Sequence, residues 1–324
     1  MKLMQASSGL MRLLLWLALC GDVSFSWAAD LPPQVAQAKD LLDTYYGDRA
    51  NIRTARELLK DAFDGSSKDA DAYVQAARAF IMIADMSSPQ ATLDSARTYH
   101  ALLDKALAID PRSAKAYILK AEAFHLERAY PQELQSLEKA KELGSTDPWL
   151  WVGLGRYYET LGDTTAAYHS YRQATEIRPI ASNEDRRGYV KAAYEMATFN
   201  PPQGGPSRQE LGGMVWRERH PKDAWVLGDF AGLYVYHGMF DDAIRYAKEA
   251  RKTMDYGMVR AVLAAALYGK AAELITDGNE AEAKRYAAEA DTFGFGKPAV
   301  FRNYRMANEK IMRLMPTLQE IVPQ

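Results

Sequence analysis

The sequence predicts an all-α fold, a solenoid of helix-turn-helix repeats, on three observations. Small and aromatic residues recur at a fixed period, apolar positions keep helical spacing, and Gly, Pro and Asp fall where hairpins of helices must turn. The clearest unit is the stretch WLWVGLGRYYETLGDTTAAYHSYRQATEIRP, residues 149 to 179. Trp151, Leu154, Gly155 and Tyr158 share one face of a first helix, and Ala167, Tyr171 and Ala174 share a face of a second. Leu161–Asp163 is the turn between them, and Pro179 closes the unit.

Tryptophan, leucine-glycine, tyrosine, alanine, aromatic, alanine and proline in this order and spacing resemble the tetratricopeptide repeat, a helix-turn-helix unit of about 34 residues. The resemblance implies a right-handed superhelix (α-solenoid) whose first helices line a concave groove. Other units follow the same offsets. Residues 36–69 carry Leu42, Tyr46, Ala55, Leu59 and Ala62 in place. Tyr73, Ala77 and Phe80 start a unit whose second half, SARTYHALLDKALAIDP, is displaced by IMIADMSSPQ, an insertion or an extended helix. Residues 114–147 keep Tyr117, Ala121, Phe124, Leu137 and Ala140 but put Lys120 and Glu133 where Leu154 and Ala167 fall. Four repeats thus occupy 29–181.

Residues 182–223 form a degenerate repeat: a helix through NEDRRGYVKAAYEMA, the Pro/Gly loop FNPPQGGPS, and a helix opened by a Ser207/Glu210 capping box. Two further repeats fill 224–297, marked by Leu227, Phe230, Ala231, Tyr234, Gly238, Ala243 and Ala250, then by Leu267, Ala271, Leu274, Gly278, Ala283 and Ala290. Residues 298–324 read as a capping helix over the last apolar face, with Val300, Tyr304, Ala307, Ile311, Leu314 and Leu318 on one side and a kink at Pro316.

Residues 1–28 read as a secretory signal peptide: Lys2 and Arg12 precede the short apolar run LLLWLALC, and Ser26 and Ala28 are the small residues before a cut. The run is far shorter than the roughly 20 residues that span a bilayer. Export to the periplasm is the expected destination. Cys20, the single cysteine, sits in a poor lipoprotein box because Leu19 occupies a position for a small residue, so a lipid anchor is not expected. With the leader gone no thiol chemistry remains. Removing Lys2, Arg12 and Asp22 from 40 basic and 42 acidic residues leaves 38 and 41, a balance that argues against nucleic acid as a partner.

First-helix side chains not used to build the repeat are the candidate partner-binding residues of the groove. They are Trp149, Val152, Arg156 and Glu159 in the template unit, Ile118, Glu122 and His125 before it, Arg78 in the unit with the insertion, and Trp225, Val235, Tyr236 and Tyr268 after it. Aromatics with arginine make interface anchors. Trp149 and Trp225 have an equally simple reading as packing residues, and Gly228 and Gly232 fit a tight helix crossing. Some tetratricopeptide proteins clamp a C-terminal carboxylate with lysine and asparagine; Ile118 with Glu122 and Val152 with Arg156 stand there instead, so that clamp is missing.

Enzymatic signals are weak, and no catalytic residue, metal or cofactor is expected. His100, His125, His169, His220 and His237 are scattered without ligand spacing, and FGFGK at 293–297 lacks the upstream glycine and the hydroxyl residue of a phosphate loop. The expected function is a non-enzymatic scaffold that binds a protein or peptide in assembly of a cell-envelope complex. The alternatives are a glycan-binding or glycan-cleaving helical protein and a self-associating structural component.

Overall fold

The computed structural model describes residues 31–46, 49–84, 88–198, 205–218 and 222–294. The expected signal peptide with Cys20, most of the Pro/Gly loop, His220 and the expected capping helix 298–324 lie outside them. The compact unit that begins at Gln34 holds every contact described below.

Among the described residues there are fifteen α-helices and no strand. They are α1 (Pro33–Asp43), α2 (Arg49–Leu58), α3 (Lys60–Phe63), α4 (Ala70–Ile81), α5 (Pro89–Ile109), α6 (Ala114–Leu126), α7 (Tyr130–Glu142) and α8 (Pro148–Thr160). The series continues with α9 (Thr164–Glu176), α10 (Asn183–Thr198), α11 (Arg208–Glu218), α12 (Ala224–Tyr236), α13 (Phe240–Thr253), α14 (Gly257–Thr276) and α15 (Glu280–Asp291). From α4 onward they pack as consecutive hairpins, and each second helix also leans on the first helix of the next hairpin. The first helices α4, α6, α8, α10, α12 and α14 contact one another in turn. This is an all-α solenoid of helical repeats.

Local chemistry explains where the helices start and stop. Side chains of Asp69, Ser88, Ser113, Asp147, Asp163 and Asp223 accept a hydrogen bond from a first-turn amide of α4, α5, α6, α8, α9 and α12. Ser207 and Glu210 form the reciprocal box at the start of α11: the Ser207 amide donates to Glu210 Oε2 (2.7 Å) and the Glu210 amide donates to Ser207 Oγ (3.2 Å). Gly162 ends α8 in the left-handed region, φ 77°, where a Cβ is strained. The segment after α4 lengthens the second helix of its pair, so that α5 begins at Pro89 and runs for 21 residues.

Small residues set the packing distance. A Cβ on Gly155 would lie 2.5 Å from the Tyr171 ring, so α8 and α9 meet through a glycine face on an aromatic one. Gly228 and Gly232 play the same part for α12: Tyr256 lies over the first, and the Tyr194 ring stands 3.0 Å from where a Cβ on the second would be. They serve helix crossings. Glu133, at the position Ala167 holds in the next repeat, is fully buried, with His125 at 3.0 Å and the Arg156 guanidinium at 3.9 Å.

Candidate functional site

The ninth residues of α4, α6, α8, α10 and α12 are Arg78, Glu122, Arg156, Lys191 and Gly232; the second residues are Asp71, Lys115, Trp149, Glu184 and Trp225. Arg78, Lys115, Glu122, Arg156 and Glu184 among them face a common interior, because their side chains meet across repeats, whereas Asp71 is exposed. Arg78 on α4 reaches Asp43 at the end of α1 (2.7 Å) and Glu184 on α10 (2.5 Å), while Lys115 on α6 joins Glu184 (2.5 Å) to Asp147 (2.7 Å). Burial alone would raise the Glu184 carboxyl, but the Lys115 ammonium and Arg78 guanidinium overcome it and hold the group down at about 2. Arg186 and Arg187 both pair with Asp223, at 3.1 and 3.0 Å.

The chain after α1 crosses this inner face. The Tyr45 carbonyl accepts a hydrogen bond from Arg187, the Tyr46 carbonyl accepts one from the Ala224 amide (3.5 Å), and Tyr46 Oη accepts one from Asn183 (3.0 Å). The Tyr45 ring stands edge-on to Trp225, 5.2 Å between centroids.

A second cluster lies on α6, α7 and α8. Arg156 pairs with Glu122 at 2.6 Å and stands 3.9 Å from Glu133, whose other partner is His125 at 3.0 Å. Burial raises and Arg156 lowers the Glu122 carboxyl; the net is a value below the usual range. Glu159 accepts from the Tyr171 hydroxyl at 2.6 Å.

Most of the residues expected to face a partner are therefore engaged within the chain. Arg78, Glu122, His125, Arg156 and Glu159 bind one another or their neighbours in the ion and hydrogen-bond networks. Ile118, Val152, Val235, Tyr236 and Tyr268 are buried in helix-helix packing, and Tyr268 donates to Asp291 at 2.6 Å. Their spacing satisfies the groove register, yet neighbouring first helices approach closely enough to cover them. Trp149 and Trp225 are half-buried.

Those two tryptophans line an inner-face cavity of about 310 Å³ together with Met82, Tyr256 and Met258, and its polar groups are Glu184, Arg187, Lys191 and Asp229. Trp149 Nε1 donates to the Glu184 carbonyl (2.9 Å), and Arg187 lies over the Trp225 ring, 5.0 Å from its centroid. Lys191 pairs with Glu195 at 2.6 Å. Asp229 differs from its neighbours: its side chain is 9% exposed, no hydrogen bond reaches its buried Oδ1, and the Lys191 ammonium is 4.0 Å away. Burial lifts its carboxyl to about 6 against the pull of Lys191, with Glu195 and Asp223 adding to the rise. Sequence reasoning missed Glu184, Arg187, Lys191 and Asp229. The signal was available in the register of α10, and in a lone acid inside the apolar run AWVLGDFAGLYVY.

A larger cavity of about 660 Å³ lies between α11, α12 and α13, with Trp216, Phe230, Tyr234 and Tyr246 in its wall. The Trp216 ring is tilted over Phe230 at 5.1 Å, and Tyr234 stacks on Tyr246 at 5.4 Å. Among the described residues no group of three or more His, Cys, Asp or Glu side chains is placed to hold a metal ion, and no helix is long and apolar enough to cross a membrane. FGFGK falls partly outside the described residues; its Gly294, at φ 70°, follows the end of α15 as a helix terminator.

No protein-family model matches the chain, and no curated protein matches it in sequence. Among solved structures, the APC/C hetero-tetramer Cut9–Hcn1 matches with a TM-score of 0.52 and 13% identity over 89% of this chain, which spans 50% of the matched chain. The chain has a tetratricopeptide-like helical fold. YrrB, a tetratricopeptide protein with an unusual peptide-binding site, matches at TM-score 0.34 and 19% identity over 65% of this chain and 97% of its own. PilF of Pseudomonas aeruginosa matches at 0.39 and 14% over 88% and 100%. At these identities the likeness establishes the helical-repeat fold alone, and the site must be argued from its own residues.

Proposed function

We propose that this protein is an exported, non-enzymatic scaffold that holds a segment of a partner polypeptide against the inner face of its repeats, in assembly of a cell-envelope complex. The observation that carries the binding reading is the cavity between α8, α10 and α12, where first-helix side chains leave space between them. Apolar walls with a few oriented polar groups are the usual character of a recognition site. The composition of residues 1–28 supports export, and the near-balanced charge supports a protein over a nucleic acid.

Selection of peptides from a random display library on the immobilised full-length mature chain tests the binding reading. Peptides enriched on the wild type and lost on a folded Trp225→Leu variant are the expected result; enrichment that survives this variant and Trp149→Leu alike removes the cavity as the site. Mass spectrometry of the protein recovered from its native host tests export, with Ala29 as the expected first residue. A chain that retains Met1 in the cytosolic fraction overturns it.

A further inference from the structure

The charges around the inner-face cavity do not cancel in pairs. Arg187 has Asp223 at 3.0 Å, Lys191 has Glu195 at 2.6 Å, and Glu184 has both Arg78 and Lys115 at 2.5 Å. Asp229 is left over. A buried carboxylate oxygen without a donor is costly, and native interiors rarely keep one unless something else completes it. Lys191 does not: its ammonium stays with Glu195 and stands 4.0 Å from Asp229 Oδ1, outside hydrogen-bond distance. The cavity that Asp229 lines has Trp149, Met82, Met258 and Tyr256 as its less polar walls, alongside the charged Glu184, Arg187 and Lys191.

A carboxylate at the end of an apolar slot fits a side chain with an apolar stem and a cationic tip. We propose that the cavity takes a lysine side chain of the partner polypeptide, its methylene stem against Trp149, Met82 and Met258 and its ammonium against Asp229. This rests on the scaffold reading above and names the chemistry of the partner at that site. Lysine is favoured over arginine because one orphan oxygen suits a compact point charge, whereas a guanidinium fork is best matched by two acceptor atoms. About 310 Å³ accommodates one such side chain. The Lys191 and Arg187 cations repel the incoming ammonium, but Lys191 is held by Glu195 and Arg187 shares Asp223 with Arg186, so Asp229 is the acid of this cavity that has no cation within hydrogen-bond distance.

The test uses four acetylated, amidated pentapeptides, Gly-Gly-X-Gly-Gly with X as lysine, arginine, norleucine or glutamate, titrated into the full mature chain. The readout is the NMR shift of the indole Nε1–H of Trp149 and Trp225, assigned by single Trp→Phe variants. The lysine peptide should shift the Trp149 signal saturably and bind at least about tenfold tighter than the norleucine peptide, as a charge-assisted bond in a dry site requires. Its binding should fall by a similar factor in Asp229→Asn and tighten between pH 5 and pH 7.5 as the carboxyl ionises. A Lys191→Met variant, which deletes the competing ammonium, should bind it more tightly. Equal binding of lysine and norleucine peptides overturns the cation reading and leaves the scaffold reading standing. Preference for arginine overturns the choice of lysine. No shift with any of the four, on a chain whose display-selected peptides still bind, overturns this use of the cavity; failure of the display selection itself would strike the scaffold reading first.

Discussion

The inner face carries two charge clusters in the same register that end differently. On α6, α7 and α8, Glu122 and Arg156 occupy the ninth positions of successive first helices and neutralise each other, with Glu133 and His125 filling the remaining space. On α10 and α12 the ninth positions are Lys191 and Gly232. Alternation of sign, which runs through Arg78, Glu122 and Arg156, stops there. Lys191 turns to Glu195 on its own helix, and Asp229 is left without a hydrogen bond to its buried oxygen. One architecture thus gives a sealed surface where charges alternate from repeat to repeat, and a cavity where they do not.

The largest effect should come from opening the sealed cluster. Arg156→Ala leaves Glu133, whose side chain is fully buried, with His125 as its remaining partner, and strips Glu122 of its guanidinium. Breaking a fully buried pair from one side costs about 3 to 5 kcal/mol, and because the Arg156 and Glu122 side chains are 30% and 35% exposed and partly screened by water, a destabilisation no greater than the lower figure is expected in urea unfolding at pH 7. The Glu122 carboxyl is held below its unfolded value, so the stability it contributes is present above about pH 4.5 and is lost as pH falls. The variant's deficit should therefore narrow on acidification; a loss that is small, or that does not change with pH, would show that the cluster is packing and not charge.

Glu184→Gln comes next. It removes the charge that joins Arg78 to Lys115 across three repeats. The carboxyl lies at about 2 in the fold, below its ordinary 4.5, so its contribution is complete above about pH 4.5 and disappears as pH falls towards 2. The expected cost at pH 7 is about 2 to 3 kcal/mol, read as a shift of the denaturation midpoint with an unchanged slope. A full-sized cost that persists at pH 3 would contradict this assignment.

How far these residues were legible in the sequence differs between frame and face. Helix pairs follow from local spacing: Gly155 must meet Tyr171 because they stand on the facing sides of one hairpin, and Gly162 must end α8 because the chain turns left-handed there. The inner-face partners do not follow, since Arg78 meets Glu184 and Tyr45 meets Trp225 only through the rotation accumulated over several repeats. Counting α10 in the register of α8 places Glu184 and Lys191 opposite Trp149 and Arg156, but the depth to which α12 buries Asp229 depends on that rotation. The burial of Val235 and Tyr236 depends on it too.

Asp229→Asn should act in the opposite sense. Its carboxyl lies at about 6 in the fold against 3.8 for an ordinary aspartate, so ionising it works against folding. The favourable contribution is whole below about pH 3.8 and is lost as pH rises through 6. The neutral amide keeps the shape, and a gain on the order of 1 to 3 kcal/mol is expected at pH 7.5, shrinking toward pH 4. A stability loss at pH 7.5 would mean that Lys191 and Asp229 form a supporting pair in spite of their separation.

The smallest effect is expected on the outer helix α9, where Arg172 pairs with Glu176 one turn away at 2.8 Å and both side chains are about half exposed, 52% and 49%. An exposed pair of this kind gains little from water-screened attraction and loses rotamer freedom in holding its geometry. Arg172→Ala should change stability by less than about 0.5 kcal/mol, and moderate salt should abolish the difference. Arg156→Ala removes the same kind of side chain one helix earlier in the chain, on the inner face. If the two substitutions cost the same, burial and pairing across repeats are not what distinguishes the inner face; if only the inner one is costly and resists salt, the contrast belongs to the interior that the first helices share.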